Sequence, residues 1–401
     1  MSSPAVERNA VEIARLLLDN GADPNAYFMA GDSRYSPMTG VVGEGEENRP
    51  PHPKRDELVR LLLDRGANPY DIQVFYNIHF HGHVLWFLEM IYEHTVTSGH
   101  GDDWNDPKWS MINMGGYGLG ARYCLMIAVN HNDLTLAKWI LDHGADPNAE
   151  LPARTRLPKV SLHEAAVRRG FKEMADLLDQ YGAKATGYVP VGEEAFVGAS
   201  LRLDRPAMQR ILAEHPEYLA STKAVFEAAR RDRADVVRLL LDLGTPIEVE
   251  SPQHGRALHE AAYHNALNVA KLLIERGAEI DPVEDNYGNS PVDFARYAGN
   301  GEMIDLLAPH SRDLWSLAFA GKVDRLRELL TKEPQLARAA WSNNTTPLMR
   351  LPNDRASALE IAELFLRHGA DPTIRNSDGF TAADLAERRG LDEAAAALRA
   401  L

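Results

Sequence analysis

Gly21-Ala22-Asp23-Pro24 returns as Gly144-Ala145-Asp146-Pro147 and again as Gly369-Ala370-Asp371-Pro372. Close variants begin at Gly66 (Gly-Ala-Asn-Pro), Gly182 (Gly-Ala-Lys), Gly244 (Gly-Thr-Pro) and Gly277 (Gly-Ala-Glu). From Gly144 onward the steps between these glycines read as one, two, one and three units of roughly 31 to 38 residues. The first two steps fit one and two units with about a dozen extra residues each. Repetition at this interval builds a solenoid, in which each unit buries its apolar face against its neighbours.

The residues around each glycine carry helix signals. An amphipathic stretch such as Glu57-Leu58-Val59-Arg60-Leu61-Leu62-Leu63-Asp64-Arg65, or Val236 to Leu243, comes first, with apolar residues at helical spacing. The Gly then takes the left-handed conformation that ends a helix, and Asp-Pro or Asn-Pro makes a turn. Start signals follow: Ser36-Pro37, Ser290-Pro291 and Thr346-Pro347 each pair an N-cap residue with an N1 proline. Ser161-Leu162-His163-Glu164-Ala165-Ala166 and Ala257-Leu258-His259-Glu260-Ala261-Ala262 open two further helices. Before Pro347, Asn344 stands where Gly288 and Gly379 stand in the related turns, and Asn is the next residue best suited to positive φ.

Period, turn and start signal together resemble the ankyrin repeat family, and they cover nearly the whole chain. The resemblance implies an all-α ankyrin-repeat solenoid of about eleven or twelve helix-pair units joined by short hairpin loops. Helix pairs are expected to begin near residues 5, 36, 72, 121, 161, 193, 223, 257, 290, 313, 346 and 381. Two units, ending in Glu214-His215-Pro216-Glu217 and Lys332-Glu333-Pro334-Gln335, lack the Gly turn. Residues 1–94 are read as N-terminal units, the first incomplete. Residues 95–120 are a Gly- and aromatic-rich insertion, and 121–401 continue the solenoid.

Composition fits a soluble cytoplasmic protein. No run of 18 apolar residues exists, and Met1 to Arg8 has no signal-peptide core. One cysteine, Cys124, excludes an internal disulfide framework. A net charge of −15 argues against nucleic acid and against an anionic membrane surface, because both need clustered cations. The first unit leaves almost no room for a first helix, so that end reads as uncapped and the chain as a monomer unless this end docks on something.

Departures from the repeat carry the functional expectations. The loop Gly43 to Pro53 is acidic and Pro-rich and reads as solvated. The 95–120 insertion is longer than ordinary connections and holds six glycines with Trp104, Trp109 and Tyr117. Either it folds over the repeats as a satellite core, or it walls a recognition surface, where Trp and Tyr dominate. His79, His81, His83, His94 and His100 cluster beside it. If residues 72–80 are extended, His79, His81 and His83 share one face and could hold zinc, whereas the resemblance implies a helix there.

Ankyrin arrays bind through hairpin tips and the concave face of their first helices. The resemblance therefore implies a protein or peptide partner in that groove, with the insertion shaping the site. Expected contacts are Phe28, Tyr35, Trp104, Trp109, Tyr117, Asn286, Tyr287, Trp341 and Asn343. No cofactor and no metal are expected. The alternative is an enzyme, or a small-molecule or metal binder, with a pocket of His81, His83 and Asp102 under the insertion. Phosphate loops, nucleophile elbows and His-Glu-x-x-His are absent from the sequence, so no catalytic residue is assigned.

Overall fold

The computed structural model describes residues 9–43, 45, 51–80, 82, 84–153, 155, 159–341 and 343–400. It divides into two compact units, Met1–Gly198 and Ala199–Leu401. The described residues are mostly helical, and none of their helices is long and apolar enough to cross a membrane.

The first unit runs α1 (Ala10–Asp19), the hairpin β1 (Phe28–Ala30) and β2 (Ser33–Tyr35), then α2 (Pro37–Val42) and α3 (Arg55–Asp64). It continues through α4 (Ile72–Ile78), α5 (Leu85–Thr97), α6 (Gly120–His131), α7 (Leu134–Asp142), α8 (Leu162–Arg168) and α9 (Lys172–Gln180). The unit boundary falls inside α10 (Gly192–Leu201). The second unit holds α11 (Arg205–Glu214), α12 (Thr222–Arg230), α13 (Ala234–Leu243), α14 (Ala257–Tyr263), α15 (Leu267–Glu275) and α16 (Pro291–Tyr297). It ends with α17 (Gly301–Leu307), α18 (Leu314–Phe319), α19 (Val323–Lys332), α20 (Arg355–Arg367), α21 (Ala382–Arg388) and α22 (Asp392–Arg399).

The turn chemistry is as the sequence dictates. Each repeat glycine sits at positive φ, from 82° at Gly277 to 108° at Gly244, and Asn344 substitutes at 59°. Ser36, Ser161 and Thr381 accept N3 backbone N–H groups as N-caps. Ser290 instead turns its hydroxyl to Ser316. The segment 72–80 is helical to Ile78, so the extended alternative for its histidines does not hold. Asp71 fixes that choice by capping the helix through Gln73 and Val74 N–H groups.

One repeating bond was not anticipated. In four repeats the fourth residue after the turn glycine reaches into the next repeat and accepts a backbone N–H. Asn25 accepts from Asn68 at 2.7 Å, Asn148 from Lys184 at 2.8 Å, Glu248 from Glu279 at 2.7 Å and Asp281 from Arg312 at 2.6 Å. Asn25 and Asn148 also donate to the carbonyls of Gly66 and Gly182, closing both strands of the turn.

Three elements depart from the helix pair. The two repeats without a Gly turn end in 3-10 turns, Pro216–Ala220 and Pro334–Arg338, each opened by its proline. The helix expected from residue 346 is only a 3-10 turn, Pro347–Arg350. Pro352 explains this, since it forces Leu351 into extended backbone (ψ 151°) and stops the turn.

Candidate functional site

In the first unit, α5 runs to Thr97 and α6 begins at Gly120, so the insertion proper is Ser98 to Leu119. It is folded, with 3-10 turns at Gly101–Asn105 and Gly115–Tyr117 and a bridge between Asn113 and Leu119. Backbone bonds pin it down: Gly120 and Ala121 N–H donate to the carbonyls of Trp109 and Lys108, and Asp146 N–H donates to Pro107 at 2.8 Å. At Gly120 two segments of the chain approach so closely that a Cβ would stand 2.8 Å from Ile112 Cβ and 2.9 Å from the Trp109 oxygen.

Trp104 and Trp109 are core residues. They are 5% and 0% exposed and pack edge to face at 4.9 Å, and each lies 6.3 Å from Trp139. Trp104 Nε1 donates to Thr95 Oγ1 at 2.7 Å, satisfying the buried indole. Their expected role as contact residues is therefore corrected. Burial of large aromatic area outweighs leaving it in water, and the rings support a surface rather than form it.

Other insertion residues face outward. Tyr117 is 38% exposed and lies edge to face with Tyr76 and Tyr123. Beside them His79 Nδ1 meets the Tyr123 hydroxyl at 3.1 Å, and His131 Nε2 meets the His79 carbonyl at 3.1 Å. Burial holds the Tyr123 phenol above its usual range. Asp102 is exposed and accepts from Asn105 Nδ2 at 2.9 Å. His81 and His83 lie outside the described residues, as does most of the acidic loop 43–53. Among the described residues no group of three His, Cys, Asp or Glu is arranged to hold a metal ion.

The hairpins present aromatics to solvent. Phe28, 65% exposed, stacks on Tyr35 at 5.6 Å, and the Arg34 guanidinium lies over Tyr27 at 3.7 Å. In the second unit Tyr287 is 80% exposed at a turn beside Asn286. The buried Glu284 builds that turn, accepting N–H groups from Asn286 at 2.8 Å and from Tyr287 at 2.9 Å. Trp341 is partly exposed and stacks on Trp315 at 5.1 Å. Trp315 is anchored by its indole N–H to the Thr345 carbonyl at 3.0 Å. The exposed Asn343 accepts from Thr345 N–H, and its carbonyl receives Ser377 N–H at 3.1 Å.

Sequence reasoning missed Trp315, and the aromatic census alone could have raised it. An open cleft of about 420 Å³ between Ala337, Arg338, Gly369 and Ile374 holds none of these aromatics.

Comparison with family models finds ankyrin repeats at 199–284 and 225–317 and a single ankyrin repeat at 122–150. The chain contains ankyrin repeats. Ankyrin repeats serve in general as protein–protein interaction modules. Comparison with curated proteins returns no match. A solved structure similar in part is the Bd0816 predatory endopeptidase from Bdellovibrio bacteriovorus in complex with immunity protein Bd3460. It is 21% identical, with 51% of this chain and 96% of that chain covered, at a TM-score of 0.33.

One ankyrin position is altered in a way the motif hides. In α14, His259 Nδ1 accepts the Arg256 N–H at 3.1 Å, and Nε2 reaches the Asn289 carbonyl at 3.3 Å. In α6 the corresponding residue is Arg122, whose Nη2 donates to the Val160 carbonyl at 3.2 Å. Both acceptors immediately precede the next N-cap, Ser290 or Ser161. Burial lowers the Arg122 guanidinium to about 10, and its Nη1 has no hydrogen-bond partner among the described residues.

Proposed function

We propose that this chain is a recognition module for a protein or peptide partner, gripped in the groove lined by hairpin tips and first helices. The observation that carries this reading is the set of exposed aromatic side chains held rigid on hairpins. Phe28 stacks on Tyr35, Trp341 stacks on Trp315, and Tyr287 stands on a turn fixed by a buried carboxylate. Rings already locked in place lose little entropy on binding, which is where affinity is gained. Aromatic anchors of this kind dominate interface energetics. In the first unit the insertion supports Tyr117 beside Tyr76, with the buried Trp104 and Trp109 stiffening the wall. The module is proposed to work in the cytoplasm, where its one thiol, the buried Cys124, needs no pairing.

Two variants test this, Phe28→Ala with Tyr35→Ala and Tyr287→Ala with Trp341→Ala. A partner protein retained by the unaltered chain should bind at least one variant about 30-fold more weakly, as loss of a 2 kcal/mol hot spot requires. Thermal midpoints should move by no more than a few degrees, because Phe28, Tyr287 and Trp341 are exposed and Tyr35 is half-buried. Equal affinity of that partner for both variants would remove the aromatic surface from the account.

A further inference from the structure

The chain is strongly acidic overall, yet one place in its second unit gathers cations. Arg296 lies near the end of α16, Arg350 ends the 3-10 turn at Pro347–Arg350, and Arg389 follows α21. Successive repeats thus bring all three to the ring of Phe319, the last residue of α18. Their guanidinium carbons stand 3.9, 5.0 and 5.4 Å from its centroid.

Among the described residues one carboxylate, Asp293, pairs directly with the group. Asp293 is 3% exposed, and its Oδ1 lies 3.2 Å from Arg350 Nη2 while Oδ2 accepts the Ser316 hydroxyl at 2.7 Å. Arg296 Nε is ion-paired with the same Asp293 Oδ1 at 3.6 Å, and this buried nitrogen has no hydrogen bond among the described residues. Arg389 bonds only neutral acceptors, the Leu351 carbonyl at 2.6 Å and Asn353 Oδ1 at 2.7 Å. Burial, and then the charge of Arg296, lower the Arg389 guanidinium; burial lowers Arg296 as well, against the opposing pull of Asp293 and with Arg350 adding to the lowering. Three guanidinium groups share Asp293 as their one contacting carboxylate, with Asp313 behind it on the Ser316 hydroxyl, so positive charge is in excess at Phe319. Partly buried like charges repel in a medium that screens poorly, so the site is incomplete as it stands. Guanidinium forks match the oxygens of phosphate geometrically, and the excess of positive charge suits its negative charge.

We propose that Arg296, Arg350 and Arg389 form a receptor for a phosphate dianion, either inorganic phosphate or a phosphate monoester on a partner's side chain. The site does not depend on the recognition function, because free phosphate would fill it with no protein partner present. Trp341 reports on it, since the Arg350 guanidinium lies 5.5 Å from that ring.

The test is a nuclear magnetic resonance titration of the full chain, following the tryptophan indole resonances. Inorganic phosphate, a phosphoserine peptide and the same peptide unphosphorylated are added separately, with chloride at matched ionic strength as control. Saturable movement of the Trp341 indole by a phosphate-bearing ligand is expected, with Kd at or below about 1 mM. It should weaken at least about tenfold in Arg350→Gln and Arg389→Gln. It should persist in Arg388→Gln, whose guanidinium lies over Phe380 instead. Tighter binding of the phosphopeptide than of free phosphate assigns the ligand to a modified partner. Equal binding assigns it to the free ion, and both support the site. Absence of saturable shifts in the unaltered chain overturns the proposal. So does binding that survives both Arg350→Gln and Arg389→Gln in folded protein.

Discussion

At the scale of single residues, Gly120 shows how the insertion is tied to the repeats. It takes ordinary helical backbone, so its need for glycine is steric: Ile112 and the Trp109 carbonyl occupy the space a side chain would fill. Gly116, four residues earlier, meets nothing within 4 Å. Gly120→Ala should therefore cost about 1 to 3 kcal/mol, as overpacking does, while Gly116→Ala stays within about 0.5 kcal/mol. Denaturant midpoints read by tryptophan fluorescence check the pair, and equal midpoints would contradict the close approach. Nothing in the sequence distinguishes these two glycines, because their difference lies in what a distant segment brings near. The repeat glycines were legible for the opposite reason. Their constraint is local, a positive φ that the next residues, Asp-Pro or Asn-Pro, already announce.

Between elements, the stability of the array depends on latches such as His259. Desolvation by burial holds its imidazole below the usual 6.5, although bonds to the Asn289 and Pro282 carbonyls pull the other way. The folded state thus favours the neutral ring, whose Nδ1 must accept the Arg256 N–H. The contribution is full above the unfolded value near 6.5 and is lost as pH falls through the lower folded value. Urea unfolding of the chain should show stability falling with acidification through this window, with a flatter slope in His259→Gln. An identical slope in the variant would show that the latch does not titrate. The same scale shows where element prediction stopped. The helix at 346 was shortened by Pro352, a local signal that was available but outweighed by the repeat period. The burial of Trp104 and Trp109 was not available. An aromatic-rich loop reads alike whether it covers Trp139 or faces solvent, and only packing decides. Arg122 in the histidine position was hidden because the start signal there, Leu119-Gly120-Ala121, lacks the usual cap.

For the molecule as a whole, the period carried the fold. Repeats cost little sequence to recognise because each solves the same problem of covering its neighbour's apolar face. The Trp315–Trp341 stack and the arginine group were harder to see, since each is assembled from residues in different repeats, whereas Phe28 and Tyr35 meet within one hairpin. The central claim is that a protein partner meets the hairpin and first-helix side of the chain. Site-specific photocrosslinking tests it most directly. A photoreactive phenylalanine is placed at Phe28, Tyr287 or Trp341, and for comparison at Arg238 or Lys271, exposed on the second helices α13 and α15. The account predicts that a partner protein is captured from at least one of the first three positions and not from the last two. Capture from Arg238 and Lys271 with none from the hairpin positions would contradict it.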